Sequence, residues 1–197
     1  MTLPRMILTG CWLIAMAVWL AMAFTAKADI RAQKTEERES YSLLFLASIL
    51  FTVLPMRGPP PADDGAVAAA FLPLVPDSEA LQWTSALIAL VGLGLALWAR
   101  LTLGRNWSAA VAIKQDHTLI TSGPYRAIRH PIYTALLLLL LATCLAVRAP
   151  FSIAGFVLMA LSCWIKLRAE EAMMREAFPE HYPPYAARTK RLVPGLF

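Results

Sequence analysis

The sequence predicts an all-α protein, a polytopic membrane helical bundle of about five transmembrane helices. Three observations predict it. Of 197 residues, 58% are hydrophobic and only 16% charged, whereas soluble domains run nearer a quarter charged. The apolar excess is gathered into long runs, which is the signature of spans rather than of a greasy globule. The basic residues flank those runs, so the net charge of +5 points to a membrane surface as partner and not to nucleic acid.

The first run extends over about Met6 to Ala26. Ala26-Lys27-Ala28 resembles a signal-peptide cleavage site. The run is too long for a typical signal core, however, and cleavage would strand the basic stretch 27–40 outside, so a span is expected. The second run is about Tyr41 to Met56, the third about Leu81 to Ala99, the fourth Ile132 to Val147 and the fifth about Phe151 to Ile165. The second, fourth and fifth fall short of the roughly 17-residue lower limit for a span. They are expected to borrow flanking residues or to sit in a thinned bilayer.

Between the second and third runs, Pro59-Pro60-Pro61 forbids a continuous helix. The apolar stretch Ala66 to Val75 that follows is expected to dip towards the interface. Gly92-Leu93-Gly94 lacks the strand–turn–helix context of a dinucleotide fingerprint and reads as small residues that let helices approach closely. Cys11, Cys144 and Cys163 each lie inside an apolar run, with no metal-ligand spacing, so no metal is expected.

Lys and Arg set the orientation. Five spans with the N-terminus outside place 15 of the 18 basic residues on the cytoplasmic side, leaving Arg5, Arg57 and Arg148 outside. The expected protein is therefore multi-pass in the cell (inner) membrane, with its C-terminus in the cytoplasm. Residues 1–100 carry helices one to three. Residues 101–197 carry a helical hairpin, 131–168, and a C-terminal cytoplasmic segment.

Charged groups at a membrane boundary are costly and so mark function. Two clusters qualify, Tyr125 to Tyr133 and Lys166 to Glu171. Pro131 suits the first position of helix four, where its missing N–H costs nothing. Both legs of the hairpin rise 1.5 Å per residue over similar counts. His130 and Tyr133 should therefore face Lys166 to Glu171 at the cytoplasmic boundary, where a cytosolic cofactor meets a lipid-soluble substrate. The basic-aromatic tail, 178–197, suits an interfacial lid.

At these residues the chain resembles the isoprenylcysteine carboxyl methyltransferase family. The resemblance runs through Gly104-Arg105-Asn106-Trp107-Ser108, His117 to Tyr125, and Arg129-His130-Pro131-Ile132-Tyr133. It resumes at Glu170-Glu171, Phe178-Pro179-Glu180-His181-Tyr182 and Tyr185, and closes with Arg191-Leu192-Val193-Pro194-Gly195. It implies an S-adenosylmethionine-dependent methyltransferase, with S-adenosylhomocysteine as product and a lipophilic acceptor such as a prenylcysteine-like carboxylate. His117, Leu119, Ile120, Tyr125, His130, Pro131, Tyr133, Glu170 and Glu171 would bind the cofactor, with Glu170 on its ammonium group. Relatives acting on prenylcysteine place an arginine one turn before the paired glutamates, where this chain has Lys166. Arg168, Arg188 and Arg191 are the other candidates to meet the substrate. The competing readings are a phospholipid or small-amine N-methyltransferase, an NADPH-dependent membrane reductase and a non-catalytic membrane protein.

Overall fold

The computed structural model describes residues 2–24, 29–32, 35–57, 65–107, 112–114 and 118–195. The described chain is helical except for one short ribbon. Helix α1 (Leu3–Ala23) is followed by strand β1 (Asp29–Ala32) and helix α2 (Thr35–Val53). A short α3 (Gly65–Ala69) precedes α4 (Glu79–Leu103). Strand β2 (Ala112–Lys114) pairs antiparallel with β1. Helices α5 (Pro131–Val147), α6 (Pro150–Ala177) and α7 (Tyr182–Arg188) complete the chain.

Local sequence explains the boundaries. Ser78 Oγ accepts the Leu81 N–H at 3.2 Å, and Glu79 in the first turn complements the positive end of the α4 dipole. Pro131 and Pro150 open their helices where no N–H is needed. Arg148 ends α5 in the left-handed conformation at φ 64° and reverses the chain within three residues.

The fifth apolar run belongs to a longer element than its apolar length suggests. Helix α6 continues without a break through the charged stretch Lys166 to Ala177. That stretch holds only strong helix formers and no Gly or Pro. The helix is thus about 42 Å long and carries its polar end beyond the apolar zone.

Among the described residues three helices are long and apolar enough to cross a membrane: Leu3–Ala23, the helix beginning at Glu79, and Pro150–Ala177. Tyr41–Met56 and Pro131–Val147 are shorter apolar helices. Leu13, Leu20, Leu43, Leu87, Val91, Leu101 and Val157 are exposed. A surface so apolar suits lipid. Inside, Leu8, Cys11 and Ala15 of α1 pack with Ala89 and Leu93 of α4 and Leu139 and Ala142 of α5. All three cysteines are buried and free.

Two glycines set how closely helices approach. A Cβ on Gly92 would lie 3.2 Å from the Ala135 carbonyl oxygen and Leu138 Cβ, so α4 rests directly on α5. Gly94 faces open space, and only one of the pair does the packing expected of both. A Cβ on Gly155 would overlap Thr52 Oγ1 and lie 2.8 Å from the Ser48 carbonyl oxygen, so α2 and α6 meet backbone to backbone.

The apolar stretch before α4 is folded onto the α5–α6 turn. Phe71 meets Phe151 edge-on at 4.9 Å, and the Leu74 N–H donates to the Arg148 carbonyl at 2.9 Å. At this end of the bundle Asp77 takes Arg5 at 2.5 Å and Arg148 at 3.5 Å.

Candidate active site

The opposite end of the hairpin brings the two charged clusters together. His130, the residue before α5, sits 3.4 Å through Nδ1 from Glu170 Oε2 and 3.4 Å through Nε2 from Glu171 Oε1. The Tyr133 hydroxyl donates to Glu170 Oε1 at 2.5 Å. The His130 and Tyr133 rings stack at 5.5 Å. One turn earlier on α6, Lys166 Nζ lies 5.7 Å from the Tyr133 ring centroid.

Adjacent residues on a helix point about 100° apart, and the two glutamates have different surroundings. Glu171 is 1% exposed. It accepts from Arg129 Nε at 2.8 Å and from Arg191 at 3.1–3.2 Å, with Arg175 at 3.6 Å. Among the described residues Glu170 meets Tyr133, His130 and the nearby Lys166 charge. A carboxylate offers about four acceptor positions, so Glu170 retains room for a further donor.

The tail is tied to this cluster. The Arg129 N–H donates to the Lys190 carbonyl at 2.7 Å and the His130 N–H to the Arg191 carbonyl at 3.0 Å. Thr134 Oγ1 donates to the Leu192 carbonyl at 2.7 Å. The Arg129 guanidinium also donates to the Ala186 carbonyl at 2.8 Å and to the Thr189 carbonyl. The Tyr185 hydroxyl donates to the Tyr125 carbonyl at 2.8 Å. Thus 185–192 forms a wall of the site, joined by main-chain bonds to the motif before α5.

Electrostatics follow burial and partners. Burial alone would lower the His130 pKa, but the facing Glu170 and Glu171 carboxylates outweigh it and hold the imidazole above its ordinary value. Its Nε2 is buried without a hydrogen-bond partner of good geometry. Burial pushes the Tyr185 hydroxyl up to about 12, and that of Tyr125 higher still. Both tyrosines stay neutral.

The structure brings together some of the site residues expected from sequence and not others. His130, Tyr133, Glu170, Glu171, Lys166 and Arg191 converge, with Pro131 buried beneath them. Tyr125 is buried in the 3₁₀ turn Gly123–Arg126, and Leu119 and Ile120 lie half-buried on the chain leading into it. The Arg188 guanidinium lies 5.9 Å from the Tyr185 ring. It borders a recess of about 380 Å³ with Thr121 and Arg126. Arg168 is exposed on α6, and His117 lies outside the described residues.

From sequence Arg100 carried only an orientation signal, and Arg129, though inside the charged cluster before α5, was assigned no role of its own. Arg100 is fully buried and donates to the carbonyls of Gly104 at 2.7 Å and Met22 at 3.0 Å. It also lies 4.6 Å from the Trp107 ring, so the Gly-Arg-Asn-Trp motif is folded around it. A lone arginine in the last turn of an apolar helix was the available signal. For Arg129 the signal was its place directly before His130-Pro131.

Among the described residues no group of three or more His, Cys, Asp or Glu side chains is placed to hold a metal ion.

The fold and site together define a helical membrane protein with a buried carboxylate cluster at one end of its bundle. Residues 85–176 match the model of the isoprenylcysteine carboxyl methyltransferase (ICMT) family. Across that stretch, a little under half of the chain, the sequence is similar to this family. The match takes in α4, the motif before α5 and both glutamates, and it ends before the tail.

Three relatives extend the comparison. The chain is 38% identical over 121 residues to the cobalt-zinc-cadmium resistance protein CzcN of Cupriavidus metallidurans, covering 58% of this chain and 52% of that protein. It is 27% identical over 119 residues to a probable protein-S-isoprenylcysteine O-methyltransferase of Oryza sativa subsp. indica, covering 59% and 62%. It is 28% identical over 99 residues to protein-S-isoprenylcysteine O-methyltransferase B of Arabidopsis thaliana, covering 49% and 50%. The matches thus span between 50% and 62% of these relatives' lengths.

Proposed function

We propose that the protein is an S-adenosylmethionine-dependent methyltransferase acting on a lipophilic acceptor, with a prenylcysteine-like carboxylate as the acceptor class. One observation carries this reading: Glu170 is fixed by Tyr133 and His130 yet keeps free acceptor capacity beside a polar wall. The family match over residues 85–176 supports it.

The donor set suits the cofactor. A half-buried carboxylate with spare lone pairs fits an ammonium, and the polar atoms of Tyr133 and His130 hold that carboxylate in one orientation. When bound, S-adenosylmethionine supplies an electrophilic methyl on sulfonium sulfur and leaves as S-adenosylhomocysteine, the electron pair of the broken S–C bond remaining on sulfur. Glu170 would pair with its ammonium, while Glu171, Arg129 and Arg191 keep the tail against the site. A carboxylate acceptor is already anionic, so the residues need move no proton. Their work is orientation and exclusion of water.

The charge distribution supports an N-terminus outside and the site at the cytoplasmic face. Cysteine labelling of intact cells should then find the C-terminus protected. Labelling from outside would put the site away from the cytosolic cofactor.

Calorimetry on the detergent-purified protein tests the function. S-adenosylmethionine should bind saturably, and Glu170→Ala should weaken it by about tenfold or more, the scale of a lost charge-assisted pair. NADPH, as the control ligand, should not bind. Binding of NADPH alone would replace this reading with a reductase.

A further inference from the structure

Two arginines from distant segments meet over one recess. Arg126 closes the 3₁₀ turn Gly123–Arg126, and Arg188 closes α7. With Thr121 and Tyr185 they line a cavity of about 380 Å³. His130, Tyr133, Glu170 and Glu171 do not line it.

Main-chain pairing brings the two segments together. Ile128 and Lys190 form a parallel bridge. The Lys190 N–H donates to the Ala127 carbonyl at 3.2 Å, and the Arg129 N–H donates to the Lys190 carbonyl at 2.7 Å. Because the pairing is parallel, Arg126 and Arg188, which precede it on either side, lie at its same end. The Tyr185 hydroxyl cross-links them further by donating to the Tyr125 carbonyl at 2.8 Å.

The other arginines near this end are neutralised, since Arg129, Arg175 and Arg191 all reach Glu171. Among the described residues neither Arg126 nor Arg188 has a carboxylate partner. The Tyr185 ring, 5.9 Å from the Arg188 guanidinium, restrains that charge without cancelling it. Both arginines are exposed, so an anion from outside the chain can reach them.

A guanidinium presents paired N–H donors that match the oxygens of a phosphate. Thr121 adds a hydroxyl able to donate to the same anion. Two like charges repel the sulfonium of S-adenosylmethionine, which carries no phosphate, so the recess suits a different ligand. The level of the recess also suits phosphate. Arg126 lies five residues before Pro131, where the apolar α5 begins, and headgroup phosphates lie where apolar helices end. Basic pockets at that level take anionic headgroups.

We propose that this recess is a phosphate site, with Arg126 and Arg188 on the phosphate oxygens and Thr121 beside them. An anionic phospholipid headgroup or free phosphate would supply that chemistry, and the level of the recess favours the lipid. The bound phosphate bridges the turn and α7, and so fastens the tail wall to the motif before α5. The inference goes beyond the methyltransferase reading and uses neither cofactor nor acceptor.

The test is native mass spectrometry of the detergent-purified protein titrated with phosphatidylglycerol, with phosphatidylcholine as the zwitterionic control. Inorganic phosphate, titrated by calorimetry, is the second arm. The first phosphatidylglycerol should bind more tightly than phosphatidylcholine. Arg126→Gln and Arg188→Gln should each weaken it about three- to tenfold, the range for one basic residue at a headgroup. Lys190→Gln removes a nearby exposed charge that does not line the recess. It should change the affinity by less than about twofold. The thermal midpoint of Arg126→Gln without added lipid should match that of the parent protein, which shows the variant to be folded. Phosphate binding that needs both arginines, with no preference between the two lipids, supports the site and assigns it to free phosphate. A loss in Lys190→Gln as large as in the two recess variants would overturn the proposal, because the lipid would then answer to a diffuse surface charge. It is also overturned if neither anion needs Arg126 and Arg188. Displacement of the anion by S-adenosylhomocysteine would overturn it too, because the recess would then belong to the cofactor.

Discussion

The two ends of the bundle use the same residue types and bury them differently. At one end Asp77 holds Arg5 and Arg148, and the Asp77 and Arg5 side chains remain 35% and 42% exposed. At the other, Glu171 holds Arg129 and Arg191 with only 1% of its side chain exposed, and Arg129 retains 9%. The first is a clasp between chain segments in a wet environment, where Coulomb attraction is weak. The second is centred on a buried carboxylate, with Arg129 enclosed beside it and Arg191 reaching it from the surface at 32% exposed. Burial thus separates an ion pair that fastens loops from one that forms the floor of a site.

The strongest way to break that contrast is to remove the buried carboxylate. Glu171→Ala leaves Arg129 and His130 buried without their anion and cuts the tail's attachment through Arg191. Removing one partner of a buried pair costs about 3–5 kcal/mol. The thermal midpoint in detergent should fall by many degrees. Limited proteolysis should release the segment after 177 before the helices are cut. A midpoint near that of the parent protein would show Glu171 to be no more than a surface pair.

A smaller effect separates the ends by pH. His130 faces Glu170 and Glu171, with Arg129 and Arg191 on the far side of Glu171. Its pKa in the fold is raised above the ordinary histidine value. The stabilisation is therefore fully present below about pH 6.5, the unfolded histidine value. It is lost as pH rises through the raised folded value. The melting temperature should decline on that alkaline limb, and His130→Gln should flatten the decline. A parent profile that is flat, or that rises over the same range, would refute a charged His130.

Much of this architecture was legible in the sequence, for physical reasons. Apolar runs marked five apolar helices, of which three among the described residues are long enough to cross a membrane, and the equal rise of two helical legs placed His130 and Tyr133 opposite Glu170. The division of labour between Glu170 and Glu171 was not legible. Both were expected to bind cofactor, but which one is consumed by arginines depends on how residues 185–192 fold back, a long-range event with no local pattern. Arg100 and Arg129 each do two jobs. Both were counted towards an expected orientation, and that count did not point to their hydrogen bonds to Met22, Gly104, Ala186 and Thr189.

The smallest effect sharpens the comparison from the exposed end. Asp77→Asn removes the charge from a clasp that Gln82 also supports, through Nε2 at 3.0 Å from Asp77 Oδ2. Exposed pairs contribute about 0.2–1 kcal/mol, so the midpoint should shift by no more than a few degrees. At about 0.5 M salt the screening length falls to a few ångström, and the difference from the parent protein should vanish. The loss in Glu171→Ala should survive the same salt, because ions do not reach the buried cluster. A loss in Asp77→Asn as large and as salt-resistant as that of Glu171→Ala would mean that the outer clasp is also desolvated, and the distinction between the two ends would fall.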